Sequence, residues 1–172
     1  YEEKISKQSN LFDDGDETKI EKFELNTNKQ WDIKELLSEE FKSLGFYMSD
    51  HPLNNYKSIF TQLDIKPYKD FIDGKKNDSL IAGTLMSIQE KKSSKGTPFA
   101  IAKFSDNFGE YELFIFSEIL IKNRDILKEG ESFVITLFKD VSGDQKRVNV
   151  KKIVSLDNLI SNRYKKVSIE ID

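Results

Sequence analysis

Lys91, Lys92 and Lys95 crowd one short stretch of the chain, EKKSSKGTP, and Lys146 and Arg147 crowd another. Cationic side chains on neighbouring loops are suited to holding phosphate oxygens, with an affinity that weakens as salt rises. Between the two stretches lie Phe99-Ala-Ile-Ala-Lys103-Phe and Tyr111-Glu-Leu-Phe114-Ile-Phe116. If Ala100, Ala102, Phe104, Tyr111, Leu113 and Ile115 face one side, then Phe99, Lys103, Phe114 and Phe116 face the other. Exposed rings beside a lysine on a sheet can stack bases, each worth about 1–3 kcal/mol. Two plainer readings stand beside this one. Hairpin loops are solvated and often lysine-rich, and outward aromatics can pack against neighbouring helices instead.

Other chemistry is thinly represented. His51 is the only histidine and cysteine is absent, so thiolate chemistry and a disulfide framework are excluded. A lone His next to Pro52 at a helix start reads as a structural hydrogen-bonding group. Asp13, Asp14 and Asp16 around Gly15 resemble the start of a calcium loop that lacks its closing Glu. No carboxylate pair, nucleophile elbow or P-loop is present. The expectation is no catalytic residue, no metal and no cofactor.

The elements that must position these residues follow from pattern. Residues 1–30 carry 5 Lys against 8 Asp and Glu with few apolar residues, and read as a flexible linker. Residues 31–78 read as a helical connector. Asp32 is an N-cap with Glu35 three residues on, and Ile33, Leu36, Leu37, Phe41 and Leu44 share a face that Gly45 ends. Trp31 is placed to staple onto Leu36. Ser49-Asp-His-Pro52 starts a second helix through about Phe60, and Pro67 to Asp78 reads as a polar connection.

From residue 79 the period changes to that of strands. Leu80–Gln89, Phe99–Ser105 and Glu110–Phe116 are expected strands, with Gly83 marking a bulge or bend. Ser117–Lys128 is an expected helix, followed by strands Glu131–Lys139 and Arg147–Leu156. Three strands, a helix and two strands is the order of an OB barrel, which binds oligonucleotides across strands 2 and 3 between two loops. The fold class is therefore mainly β with helices: a five-stranded OB barrel over 79–156, behind a connector and a linker. Residues 157–172 form a tail.

The net charge is -3, yet residues 79–155 carry 12 Lys and Arg against 10 Asp and Glu. A local basic face matters more for nucleic acid than the total. With no apolar run near 18 residues, no transmembrane helix and no membrane partner are expected. The start at Tyr1, without Met or a leader, reads as a piece of a longer chain. The absence of cysteine fits a cytoplasmic protein.

Residues 38–53 read Ser-Glu-Glu-Phe-Lys-Ser-Leu-Gly-Phe-Tyr-Met-Ser-Asp-His-Pro-Leu. The string closely resembles a segment of the alpha subunit of bacterial DNA polymerase III, with Asp50 where the family usually has Gly. Ile81-Ala-Gly83, the Lys-Lys…Lys-Gly-Thr-Pro hairpin, Phe104-Ser-Asp106…Gly109, Phe116 and Leu127-Lys-Glu-Gly130 continue the resemblance over essentially the whole chain. It argues against a tRNA-binding OB module.

The resemblance implies a role in DNA replication. Its family carries a clamp-binding peptide of the form Gln-x-x-Leu/Met-Phe upstream of this segment, and Gln8-Ser-Asn-Leu11-Phe12 matches it. Leu11 and Phe12 would plug an apolar pocket of the sliding clamp (beta subunit), with Gln8 bonding at its edge. The barrel would hold single-stranded template DNA through Lys91, Lys92, Lys95 and the outward aromatics. The polymerase's catalytic residues are expected outside this chain. In the alternative, the barrel docks other replisome subunits and has little affinity for DNA.

Overall fold

The computed structural model describes residues 31–142 and 145–161. Helix α1 runs Ile33–Leu44, started by the Asp32 carboxylate, which accepts from the Ile33 N–H at 2.8 Å. Gly45 ends it in the left-handed region (φ 77°), its N–H donating to the Phe41 carbonyl, where a side chain would be strained. Leu37 is the buried residue of its apolar stripe, and Trp31 remains half exposed. A 3-10 turn follows at Pro52–Tyr56, then α2 at Lys57–Leu63 and α3 at Tyr68–Asp73.

Five antiparallel strands make up the barrel. They are β1 (Asp78–Lys92), β2 (Pro98–Asp106), β3 (Gly109–Phe116), β4 (Ser132–Ser142) and β5 (Gln145–Ser155), with α4 (Ser117–Asn123) between β3 and β4. The sheet order is β3-β2-β1-β4-β5, and β3 also approaches β5, as an OB-like barrel requires. β1 serves both halves. Its first part pairs with β4 up to Thr84, and its second part pairs with β2 from Thr84 to Lys92.

The barrel core contains Leu85, Ala100, Ala102, Phe104, Tyr111, Leu113 and Ile115, all buried, as the alternation predicts. Leu120 and Leu127 join it from α4 and the segment after it. A second cluster lies on the outside of the barrel. There Leu53 packs with Ala82, Val134 and Leu156, helped by Tyr56, Phe60 and Ile65. The connector therefore covers the outer surface of β1 and β4.

Several expectations need correction. Pro67–Asp78 is not a plain polar connection, because α3 inserts Phe71 into the barrel core and Tyr68 stacks on Tyr111 at 4.1 Å. Buried Lys139 holds that helix, its Nζ donating to the carbonyls of Phe71 (3.0 Å) and Gly74 (2.7 Å). Gly83 does not mark the bulge. The register shifts between Leu85 and Ser87, while a Cβ at residue 83 would overlap the Tyr111 hydroxyl, which donates to Ala82 O at 3.1 Å. α4 stops at Asn123, and β4 and β5 run further toward their hairpin than expected. Residues 156–161 are helical, so Leu156 leaves the expected fifth strand and 157–161 of the expected tail form a helix with it.

Candidate nucleic-acid interface

Residues directly opposite in an antiparallel pair share a face, so the registers define the outer surface of β1, β2 and β3 as rows. Lys91, Phe99 and Phe116 form the first row, and Gln89, Ile101 and Phe114 the second. Ser87, Lys103 and Glu112 form the third, and Ser105 and Glu110 continue it. Phe114 is 47% exposed and Phe116 53%, while Phe99 and Ile101 are half-buried. Four apolar side chains thus share one surface, with a lysine at its edge.

The connector helices do not cover this surface. Leu53, Tyr56, Phe60 and Ile65 pack with Ala82 and Val134, on the β1–β4 side, and α3 places Phe71 in the barrel core. The connector reaches the β2 face only at its far end, through His51. There the Leu53 N–H donates to Nδ1 at 3.2 Å, so the proton sits on Nε2, which donates to Ser105 Oγ at 3.1 Å. The Ser105 hydroxyl in turn donates to Met86 Sδ. His51 is thus the hydrogen-bonding structural residue expected of it, and burial lowers its pKa against the pull of Asp106 and Asp50.

The basic hairpin is tight. Ser93 N–H donates to Thr97 O, and Gly96 N–H to Ser93 O, both at 2.9 Å, with Gly96 in the left-handed region (φ 77°). Lys95 sits at the tip of this turn. Lys91 and Lys92 alternate along β1, so Lys91 shares the outer face with Phe99, whereas Lys92 lies opposite Pro98. Glu90, the acid of this stretch, is held by a two-pronged pair with Arg124 at 2.9 and 2.7 Å. Among the described residues, none forms an ion pair with Lys91, Lys92 or Lys95.

Lys103 is differently placed. Its Nζ lies 2.6 Å from Glu110, and Glu112 is its cross-strand neighbour. Its charge is locally matched. Arg147 is exposed opposite Asp140 on the β4–β5 hairpin, where Lys146 pairs with Val141 in register. The registers therefore gather Lys91, Phe99, Phe114 and Phe116, with Lys95 on the adjoining turn, and they assign Lys146 and Arg147 to a different strand pair. Gln8, Leu11 and Phe12 lie outside the described residues. Ile101, Gln89 and the two glutamates were not singled out from sequence. Their signal was the alternation itself, which needs the cross-strand register to become a surface.

A concavity of about 650 Å³ lies elsewhere, between α1 and the barrel. Its walls include Phe41, Tyr47, Tyr56, Glu131 and Asp157. Phe41 stacks on Tyr47 at 5.2 Å, and the Tyr56 hydroxyl donates to Asp157 at 2.8 Å. Burial, then the nearby Glu131, pushes the Tyr47 hydroxyl up to about 12. These groups brace the connector against the barrel. Among the described residues, no group of three His, Cys, Asp or Glu could hold a metal, and no helix is long and apolar enough to cross a membrane.

No family model matches the chain. Curated relatives do. The DNA polymerase III subunit alpha of Pasteurella multocida is 28% identical over 144 residues, 81% of this chain and 12% of the relative. That of Rickettsia bellii is 31% identical over 130 residues, 72% of this chain and 11% of the relative. That of Caulobacter vibrioides is 29% identical over 114 residues, 64% of this chain and 10% of the relative. The resemblance read from residues 38–53 is borne out: the chain is similar to one short region of DNA polymerase III alpha subunits, and spans about a tenth of these relatives' length.

Proposed function

We propose that this chain is a non-catalytic region of a bacterial DNA polymerase III alpha subunit that holds single-stranded template DNA on the outer face of β1–β3. The observation that carries the reading is the pair of exposed rings Phe114 and Phe116, with half-buried Phe99 between Phe116 and Lys91 in the first row. Among the described residues, no connector side chain packs on these rings, while the connector seals the other outer surface of the sheet. Bases supply flat partners for such rings, and the hairpin lysines, without an ion pair among the described residues, supply phosphate contacts. In the same reading Gln8, Leu11 and Phe12 bind the sliding clamp and keep the polymerase on DNA. The polymerising chemistry belongs to the remainder of the parent protein.

One observation favours the rival, in which the face docks another replisome subunit: Lys103 is neutralised, so the surface is less cationic than its sequence suggests. Titration of labelled oligo-dT with the chain separates the two. Template binding predicts an affinity that falls with salt and drops severalfold when Lys91 and Lys92 are changed to Glu. Absence of binding at low salt would contradict it.

A further inference from the structure

The outer face of β1–β3 is electrostatically lopsided. At its hairpin end stand Lys91 and, on the adjoining turn, Lys95, with Lys92 on the opposite face of β1; none is ion-paired among the described residues, and Glu90 is taken up by Arg124. Two rows along, Lys103 is matched by Glu110 at 2.6 Å, and Glu112 stands opposite it in register. One further step on, Ser105 is buried beneath His51 of the connector. The open surface is therefore two rows deep, about 7 Å along the strands. It is bounded on one side by cations and on the other by two carboxylates and a covered end.

Resting on the single-strand reading above, we infer that this face takes only a short unpaired stretch, which enters over the β1–β2 hairpin and stops at Phe114. Glu110 and Glu112 form the stop. A phosphate carried past Phe114 would meet the Glu112 carboxylate, and Lys103 could receive it only by leaving Glu110. Bases stack on Phe99, Phe116 and Phe114, while the amide of Gln89, exposed in the second row, is the one neutral donor and acceptor among them able to bond a base edge. The footprint then lies at the low end of OB folds, about 4 nucleotides.

The test is a titration of the 172-residue chain with fluorescent oligo-dT of 2 to 12 nucleotides at several salt concentrations, comparing wild type with the Glu110→Gln/Glu112→Gln variant. Both glutamates are exposed, so the variant folds as wild type does, which circular dichroism checks. Wild-type affinity should level off near 4 nucleotides. The variant should bind severalfold more tightly and level off at greater length. Its log–log salt slope should steepen by about 0.7, the contribution of one freed lysine to single-strand binding. If wild type binds but the variant keeps the same plateau and slope, the stop is wrong and the single-strand reading survives. If wild type binds no oligonucleotide at low salt, both fall together.

Discussion

The barrel has two outer surfaces with opposite fates. On β1 and β4, small and branched residues (Ala82, Val134) lie under Leu53 and Leu156 and are shut from water. On β3, large rings (Phe114, Phe116) are left uncovered by the described connector and stay about half exposed. Both surfaces are apolar, so hydrophobicity alone does not distinguish a docking seam from a binding face. Side-chain size and neighbouring charge do. The seam has no lysine in its cluster, whereas the open face carries half-exposed rings beside Lys91.

The first way to break the comparison is to remove the seam. Leu53→Ala deletes a side chain only 2% exposed and should cost about 2–5 kcal/mol in chemical denaturation. Oligo-dT affinity measured below the new melting temperature should stay close to wild type. A large loss of affinity there would mean that the two surfaces are one functional unit.

Next in size is Lys139→Met. It removes the ammonium group that lies 5.2 Å from the Phe71 ring centroid and leaves the carbonyls at the end of α3 without their donor. A loss of about 1–3 kcal/mol is expected from denaturation curves, again with little effect on binding. Stability equal to wild type would show that water replaces the ammonium group.

Phe114→Ala reverses the pattern. A half-exposed ring contributes little to the fold, so the melting temperature should move by only a degree or two. Single-strand affinity should fall by about 1–3 kcal/mol if a base stacks there. Destabilisation without loss of binding would move Phe114 to the structural side.

The smallest effect concerns His51, where the two surfaces meet. It contacts Asp50, Tyr47 and Ser105, with Asp106 nearby. Burial lowers its pKa from the ordinary 6.5, so the unfolded chain takes up the proton first. Its contribution is complete above about pH 6.5 and drains away as the pH falls through the lower, folded-state value. Denaturation at pH 7.5 and 5.5 should show wild type losing more stability on acidification than His51→Gln. Equal losses would remove His51 from the account.

How much of this was legible beforehand depended on the range of the signal. Period-two alternation placed Ala100, Ala102, Phe104, Tyr111, Leu113 and Ile115 inside, because burial on one face is written into each strand by itself. The caps at Asp32 and Gly45 were equally local. α3 was hidden because six residues, Tyr68–Asp73, are too few for a helical period, and it is held by a lysine 68 residues beyond Phe71. The site was half legible for the same reason. Phe99, Phe114 and Phe116 were readable as outward, but their alignment with Lys91, and the pairing of Lys103 with Glu110, are matters of register. The shift at Met86 changes that register within β1, and nothing in the strand's composition announces it.

The most direct test of the central claim is to map oligo-dT onto the protein by amide chemical shifts. The account predicts changes concentrated at Gln89–Lys95, Phe99–Ile101 and Phe114–Phe116, with Ala82, Val134 and Thr136 silent. Changes centred on the connector or on the β1–β4 surface, or no changes at low salt, would contradict it.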